Sequence, residues 1–230
     1  MDTICPIFYA KVKNMKPKKN VYEETYIEYL KQIAGINFEP LSEVLGIAVE
    51  KGKITIPFFE KPYLVAEKRI ANPSGKQPSF GVCVVLCKYL LLCPDAGPLE
   101  GDWVAYRDFK DAGPLTVFFA DSVEKPLAEH FAGRLAELET SCNIVGGFAP
   151  DIELTYDLCM QFNALPRIPL LLLYNDADDE FPAHCSIIFK QASDKFLDAE
   201  SLAILGEILS RRLIKIAVKK DLKNNLFHKE

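Results

Sequence analysis

The stretch Arg167 to Phe189, RIPLLLLYNDADDEFPAHCSIIF, decides the fold class. Two apolar runs rich in Leu and Ile flank the acidic loop Asn175 to Glu180, which carries four carboxylates within five residues. Short apolar runs bounded by turn signals read as strands, so this is a strand, a charged connection and a return strand, His184 to Phe189. Upstream, Leu154 to Phe162 reads as a further extended segment, with Pro166 and Pro169 at the boundary. Trp103 to Phe109 and Leu115 to Ala120 also read as strands. Each follows a copy of the pentapeptide DAGPL, at Asp95–Leu99 and Asp111–Leu115, in which Pro holds the preceding Gly extended. One such pair is not a solenoid. In GIAVEKGKITIPFF, residues 46–59, Lys51-Gly52 between two β-branched runs signals a hairpin, and Pro57 limits how far the second strand stays central. Tyr63 to Glu67 is a further strand, followed by a loop at Asn72 to Gly75.

Helices surround these strands. Tyr22, Tyr26, Leu30 and Ile33 recur at helical steps over Val21 to Ala34, and Gly35 suits its end. Phe80 to Leu92 is apolar almost all round and too long for a typical strand, so it reads as a buried helix starting near Pro78-Ser79. Leu127, Phe131, Leu135 and Leu138 mark a helix over Pro126 to Glu139. Asp198 is a good N-cap for a last helix, which Leu202, Leu205, Leu209, Leu213 and Ile216 carry to Val218. The irregular order of strands and helices argues for an α+β class: a single compact domain with a largely antiparallel sheet packed with amphipathic and buried helices. It spans residues 21–218, between a basic arm at 1–20 and a basic tail at 219–230.

Composition excludes several functions. With 230 residues and 49 % hydrophobic content, the chain builds a core without staples. Its longest uncharged apolar runs fall far short of the roughly 20 residues that span a bilayer. MDTICPIFYAKVKN lacks a signal-peptide pattern, so a cytoplasmic location is expected. Seven cysteines, an odd number without any CxxC, read as reduced thiols; Cys83 and Cys87 are expected to be buried and unbridged. Residues 1–20 carry five Lys against one Asp, and residues 211–230 seven basic against two acidic residues. The remaining 190 positions carry 15 basic and 29 acidic side chains. An acidic body repels phosphate backbones, so no broad nucleic-acid face is expected. The basic ends either solvate the termini or meet an anionic partner.

Three places could carry chemistry. The loop NDADDE offers oxygen ligands suited to a hard cation, but its sixth and twelfth positions from Asp176 are Phe181 and Ile187, so an EF-hand fails. The alternative is a solvated hairpin loop with Phe181 packed and its carboxylates, Asp178 and Glu180 among them, contacting Arg107 or Arg167. His184 and Cys185 have the residue types of a nucleophilic site, yet neighbours on a strand point to opposite faces. Trp103, Ala105 and Arg107 would share one strand face, giving either a pocket for a planar or anionic ligand or a core Trp with a rim arginine. With only three histidines, no multi-histidine metal site is expected. No phosphate loop, GxGxxG or GxSxG occurs.

GDWVAYRDF, KPLAEHF, Gly146-Gly147, and FNALPRIPLLLLYNDADDEFPAHCSIIF followed by FLDAESLAILGEIL resemble an uncharacterised prokaryotic family, domain of unknown function 3786. The resemblance is clearest from Leu90 to Leu213. It implies a setting in anaerobic metabolism, where some relatives carry an iron–sulfur domain. This chain has no such cysteine cluster, and the family lends no catalytic residue. The expected function is therefore a non-catalytic binding or accessory domain linked to anaerobic redox or one-carbon metabolism. Its partner would be a protein or a small anionic ligand, with no cofactor and no metal. The candidate ligand-binding residues are Trp103, Arg107, Arg167, Asp178, Glu180 and His184. An enzyme using Trp103, Arg107 and the acidic loop, and an oligomeric scaffold, are the alternatives.

Overall fold

Lys51 and Gly52 take φ of 49° and 73°, the paired positive values of a type I′ turn. The turn joins β1 (Ala48–Glu50) to β2 (Lys53–Phe58). A second hairpin follows at once, from β2 to β3 (Lys61–Ala66), and β4 (Arg69–Ala71) completes an antiparallel meander in the order β1-β2-β3-β4. Pro57 is tolerated in the interior strand because β1 pairs only with residues 53–55; beyond it, Pro57 faces Pro62 alone. The structure is a computed structural model that describes residues 19–66, 69–97 and 100–227, with side chains over 23–66, 69–97 and 100–222. Residues 1–18 of the expected basic arm lie outside them.

The second sheet is built around the Arg167–Phe189 stretch. It comprises β5 (Trp103–Ala105), β6 (Leu158–Leu165), β7 (Ile168–Asn175) and β8 (His184–Lys190), ordered β5-β8-β7-β6 and antiparallel throughout. β7 is buried on both faces, which is why it reads as unbroken leucine. Two antiparallel sheets and packed helices make the α+β class of the sequence reading. The buried side chains form one contiguous core, running from Tyr26 to Ala217.

Helices α1 (Lys19–Ala34) and α2 (Ser42–Leu45) precede the first sheet, and α3 (Phe80–Leu91) follows it. Tyr26, Leu30 and Ile33 form the buried face of α1, which packs on α3. Cys83 and Cys87 are buried and unbridged on α3. Burial pushes the Cys83 thiol up to about 12, and that of Cys87 higher still.

Several expected elements are corrected. Leu115–Ala120 is helical, passing from a 3-10 turn at Gly113–Leu115 into α4 (Thr116–Phe119). The second DAGPL copy therefore starts a helix, with Gly113 inside the turn. Leu115, Phe119, Val123 and Leu127, at four-residue steps, are all buried, whereas Val117 is 72 % exposed. A strand would have buried Val117 with Leu115 and Phe119. The helix continues through a π turn at Ala120–Glu124 into α5 (Lys125–Phe131). Pro126 has no N–H and would clash with the carbonyl four residues back, so the ladder opens there. The single helix expected over Pro126–Glu139 is two, α5 and α6 (Leu135–Val145), broken at Gly133 with φ of 70°.

The last helix, α7 (Ala199–Phe227), starts as expected, with Ser201 N–H donating to Asp198 Oδ1 at 2.8 Å. It runs nine residues past its expected end at Val218, so residues 219–227 of the expected tail are helical, and 228–230 lie outside the described residues. A Cβ placed on Gly206 would stand 2.6 Å from the Phe119 ring, so only glycine lets α7 approach α4 this closely.

Candidate anion site on the last helix

Arg212 lies on the apolar side of α7, three residues after Leu209 and four before Ile216. Its guanidinium is held over two phenyl rings, 4.9 Å from the Phe58 centroid and 4.8 Å from that of Phe59. Its Nη2 donates to the Tyr63 hydroxyl at 3.3 Å. All three aromatic residues are buried and come from the β2–β3 hairpin. Among the described residues no carboxylate lies within 4 Å of Arg212. Burial pulls its pKa down and Tyr63 offsets part of that. An arginine nonetheless keeps its charge, so this half-buried cation has no counter-ion among the described residues.

The hairpin that makes this floor is strained. Its turn residues, Phe59 and Glu60, take φ of 48° and 60°, where bulky side chains are disfavoured. Phe59 N–H donates to Ala164 O at 3.0 Å, tying the turn to the end of β6, and the Phe59 ring packs edge-on to Phe162. The second sheet thus holds the turn in a shape that its own sequence does not favour.

Arg212 separates two cavities. One, of about 460 Å³, is lined by Asn72, Ser79, Phe80, Arg211 and Lys215 among others, and the second, of about 360 Å³, by Lys61, Ile144 and Lys219 among others; Tyr63, Arg212 and Lys215 border both. Arg211 is paired with the buried Glu207 at 2.6 Å. Ser79 makes no side-chain cap at the start of α3, and Ser79 and the first turn of that helix line the larger cavity. Positive side chains, an aromatic floor and a helix N-terminus are the chemistry that holds a phosphate or carboxylate.

The six residues singled out by sequence fall into three places. Trp103 and Arg167 lie toward one end of the second sheet. Lys190, opposite Trp103 in register, sits 4.6 Å from its ring centroid and lines a cleft of about 750 Å³ with Arg167. Arg167 is otherwise occupied: its Nε and Nη2 donate to the carbonyls of Val44 and Glu43 at 2.8 and 2.6 Å, satisfying the end of α2. Asp178, Glu180 and His184 lie at the other end of β8, six residues or about 20 Å from Lys190. Among the described residues neither Arg107, which lies beside Asp108, nor Arg167 makes the expected ion pair with the acidic loop. Nor do Trp103 and Arg107 share a strand face, because β5 stops at Ala105 and Arg107 lies in a 3-10 turn, 75 % exposed and beside Asp108.

The loop is held by backbone groups. Asp178 Oδ1 accepts from the N–H of Glu180 and Phe181 at 2.8 and 2.7 Å, which lowers its pKa. Asp176 Oδ1 accepts from Gly133 N–H at 2.7 Å, and Asp176 N–H donates to Asp157. Phe181, expected to pack, is 66 % exposed. His184 is exposed and Cys185 buried, on opposite faces as expected. Among the described residues no group of three His, Cys, Asp or Glu side chains is arranged to hold a metal ion, and no helix is long and apolar enough to cross a membrane.

The third place is Glu124, which the sequence gave no reason to single out. It ends the π turn, and its Oε1 accepts the Ile187 N–H at 3.0 Å, just beyond the end of β5. Burial raises its pKa; the Ile187 bond, His184 and Arg107 act in the opposite sense. Arg107 and His184 thus both lie near one semi-buried carboxylate.

Residues 37–212 match the family described as Domain of unknown function (DUF3786). The chain belongs to that family. The match takes in both sheets and ends at Arg212, so Lys215 and Lys219 follow it. Comparison with curated proteins and with solved structures gives no match.

Proposed function

We propose that this DUF3786 chain is a non-catalytic binding domain for a small anionic ligand, held at Arg212. The observation that carries the reading is a half-buried guanidinium with aromatic support and no carboxylate, placed where two cavities meet. Desolvating such a charge costs several kcal/mol unless something offsets it, and a bound anion does so. An accessory role beside redox or one-carbon enzymes suits such a domain, since their substrates and cofactors carry phosphate and carboxylate groups. The competing reading, an enzyme built on Trp103, Arg107 and the acidic loop, needs Trp103 and the loop together, and these stand at opposite ends of β8.

The test is thermal melting with increasing inorganic phosphate at constant ionic strength. Phosphate is expected to raise the melting temperature of the wild type saturably, by a few degrees when well above its Kd, and to leave Arg212→Gln unchanged. Equal shifts in both proteins would mean general exclusion of phosphate from protein surfaces and would sink the reading.

A further inference from the structure

The cleft has more positive charge than one anion needs, and the charge is spread along a line. Arg212, Lys215 and Lys219 follow one another on α7 at steps of three and four residues, so they form a single stripe. At 1.5 Å per residue the stripe is about 10 Å long. Lys61 adds a cation from β3 on the wall of the second cavity. Among the described residues none of these four has a carboxylate within 4 Å. The contrast is with Arg211, one position away, which is neutralised by Glu207.

The two cavities adjoin as the two lobes of a trough, with Arg212 between them. They share Tyr63, Arg212 and Lys215 as common wall, with Asn72 and Ser79 at one end and Lys61 and Lys219 at the other. The lining also changes character along it. The first lobe offers hydrogen-bonding side chains beside Arg212, and its one lining carboxylate among the described residues, Glu207, is paired with Arg211. The second pairs its lysines with apolar Ile144, Val145 and Ile216.

We propose that the trough takes an elongated small molecule with two separated anionic groups, one seated at Arg212 and the other between Lys61 and Lys219. Lys215 serves both, and the apolar wall of the second lobe covers the connecting carbon chain. This rests on the reading of Arg212 as an anion site. A single phosphate would leave Lys61 and Lys219 without a partner, whereas a bis-anion of the right length neutralises both ends. Long-chain dicarboxylates and phosphorylated carboxylic acids have this chemistry.

The experiment is calorimetric titration of the full chain, at constant ionic strength, with inorganic phosphate, succinate, suberate, sebacate and octanoate. Suberate or sebacate is expected to bind about tenfold tighter than succinate, the combined effect of two exposed charge contacts. Octanoate, which has the chain without the second charge, should not show this gain. Joint replacement Lys61→Ala and Lys219→Ala should remove the gain and leave phosphate binding as in the wild type. Equal affinity across the dicarboxylates, or the same gain with octanoate, overturns the two-anion proposal while the Arg212 reading stands. If no probe binds, and phosphate leaves the melting temperature unmoved, both fall together.

Discussion

The acidic loop 176–180 and the Arg212 trough are both strongly charged, and they are built on opposite principles. The loop concentrates four carboxylates, yet Asp176 and Asp178 accept backbone N–H groups, of Gly133 and of the loop itself, and most of its side chains lie in water. The trough holds as many unpaired charges, but its central one is stacked on two buried rings and has no carboxylate within 4 Å among the described residues. Density of charge in a sequence therefore does not mark a site. A charge placed where packing has removed water does, because only there does a missing counter-ion carry a large free-energy cost.

The contrast breaks most readily at the aromatic floor. Phe58 is fully buried beneath Arg212, so Phe58→Ala is expected to cost about 3–5 kcal/mol in denaturant unfolding. A cost below about 1 kcal/mol would mean that the floor is not packed as described. On the other side, Asp176→Ala removes the acceptor for Gly133 and should cost about 1–2 kcal/mol. That would make Asp176 a structural tie between the loop and the break after α5. No loss of stability would leave the loop untethered.

Glu124 sharpens the comparison, since it is the carboxylate that is buried. Its folded pKa is raised, so its contribution to stability is fully present below the unfolded value near 4.5 and is lost as pH rises through the folded value. Glu124→Gln, which keeps the acceptor for Ile187, should raise the melting temperature at neutral pH by about 2 °C. The gain should shrink toward pH 4, and a pH-independent difference would contradict this assignment. Asp178 has the opposite sign and the smallest effect. Its pKa is lowered by two backbone N–H groups, so its contribution is present above the unfolded value near 3.8 and lost in acid. Asp178→Asn should slightly lower stability at neutral and alkaline pH and make no difference in strong acid, flattening the acid limb of a stability–pH curve. A change of equal size at every pH would assign the effect to altered loop geometry.

How much of this was legible depended on whether local signals agreed with tertiary demands. The Lys51-Gly52 turn was readable because Gly supplies a positive φ without strain. The Phe59-Glu60 turn was not: nothing in FFEK favours positive φ, and the bond from Phe59 to Ala164, more than a hundred residues away, enforces it. The leucine run of β7 and the Asp198 cap read correctly because periodicity and capping act locally. The run LTVFFA was ambiguous, being too short to separate a period of two from one of 3.6. It becomes helical because Val123 and Leu127 extend its four-residue stripe. Trp103, Arg167 and the acidic loop drew notice by residue type, and the sheet register then set them at opposite ends. Arg212 had a sequence signal that was passed over. It interrupts the Leu209–Leu213–Ile216 face, and a charge on the buried face of a helix needs a reason. Counting it only in the basic charge of residues 211–230 hid that.

The most direct measurement is a phosphate titration followed by NMR at constant ionic strength, observing the Arg212 side-chain Nε–Hε signal together with the backbone amides of residues 176–181. A saturable shift confined to Arg212 and the amides at the start of α3 is expected, with the loop amides unmoved. No shift at Arg212, or shifts of equal size in the acidic loop, would contradict the assignment of the anion site to the trough.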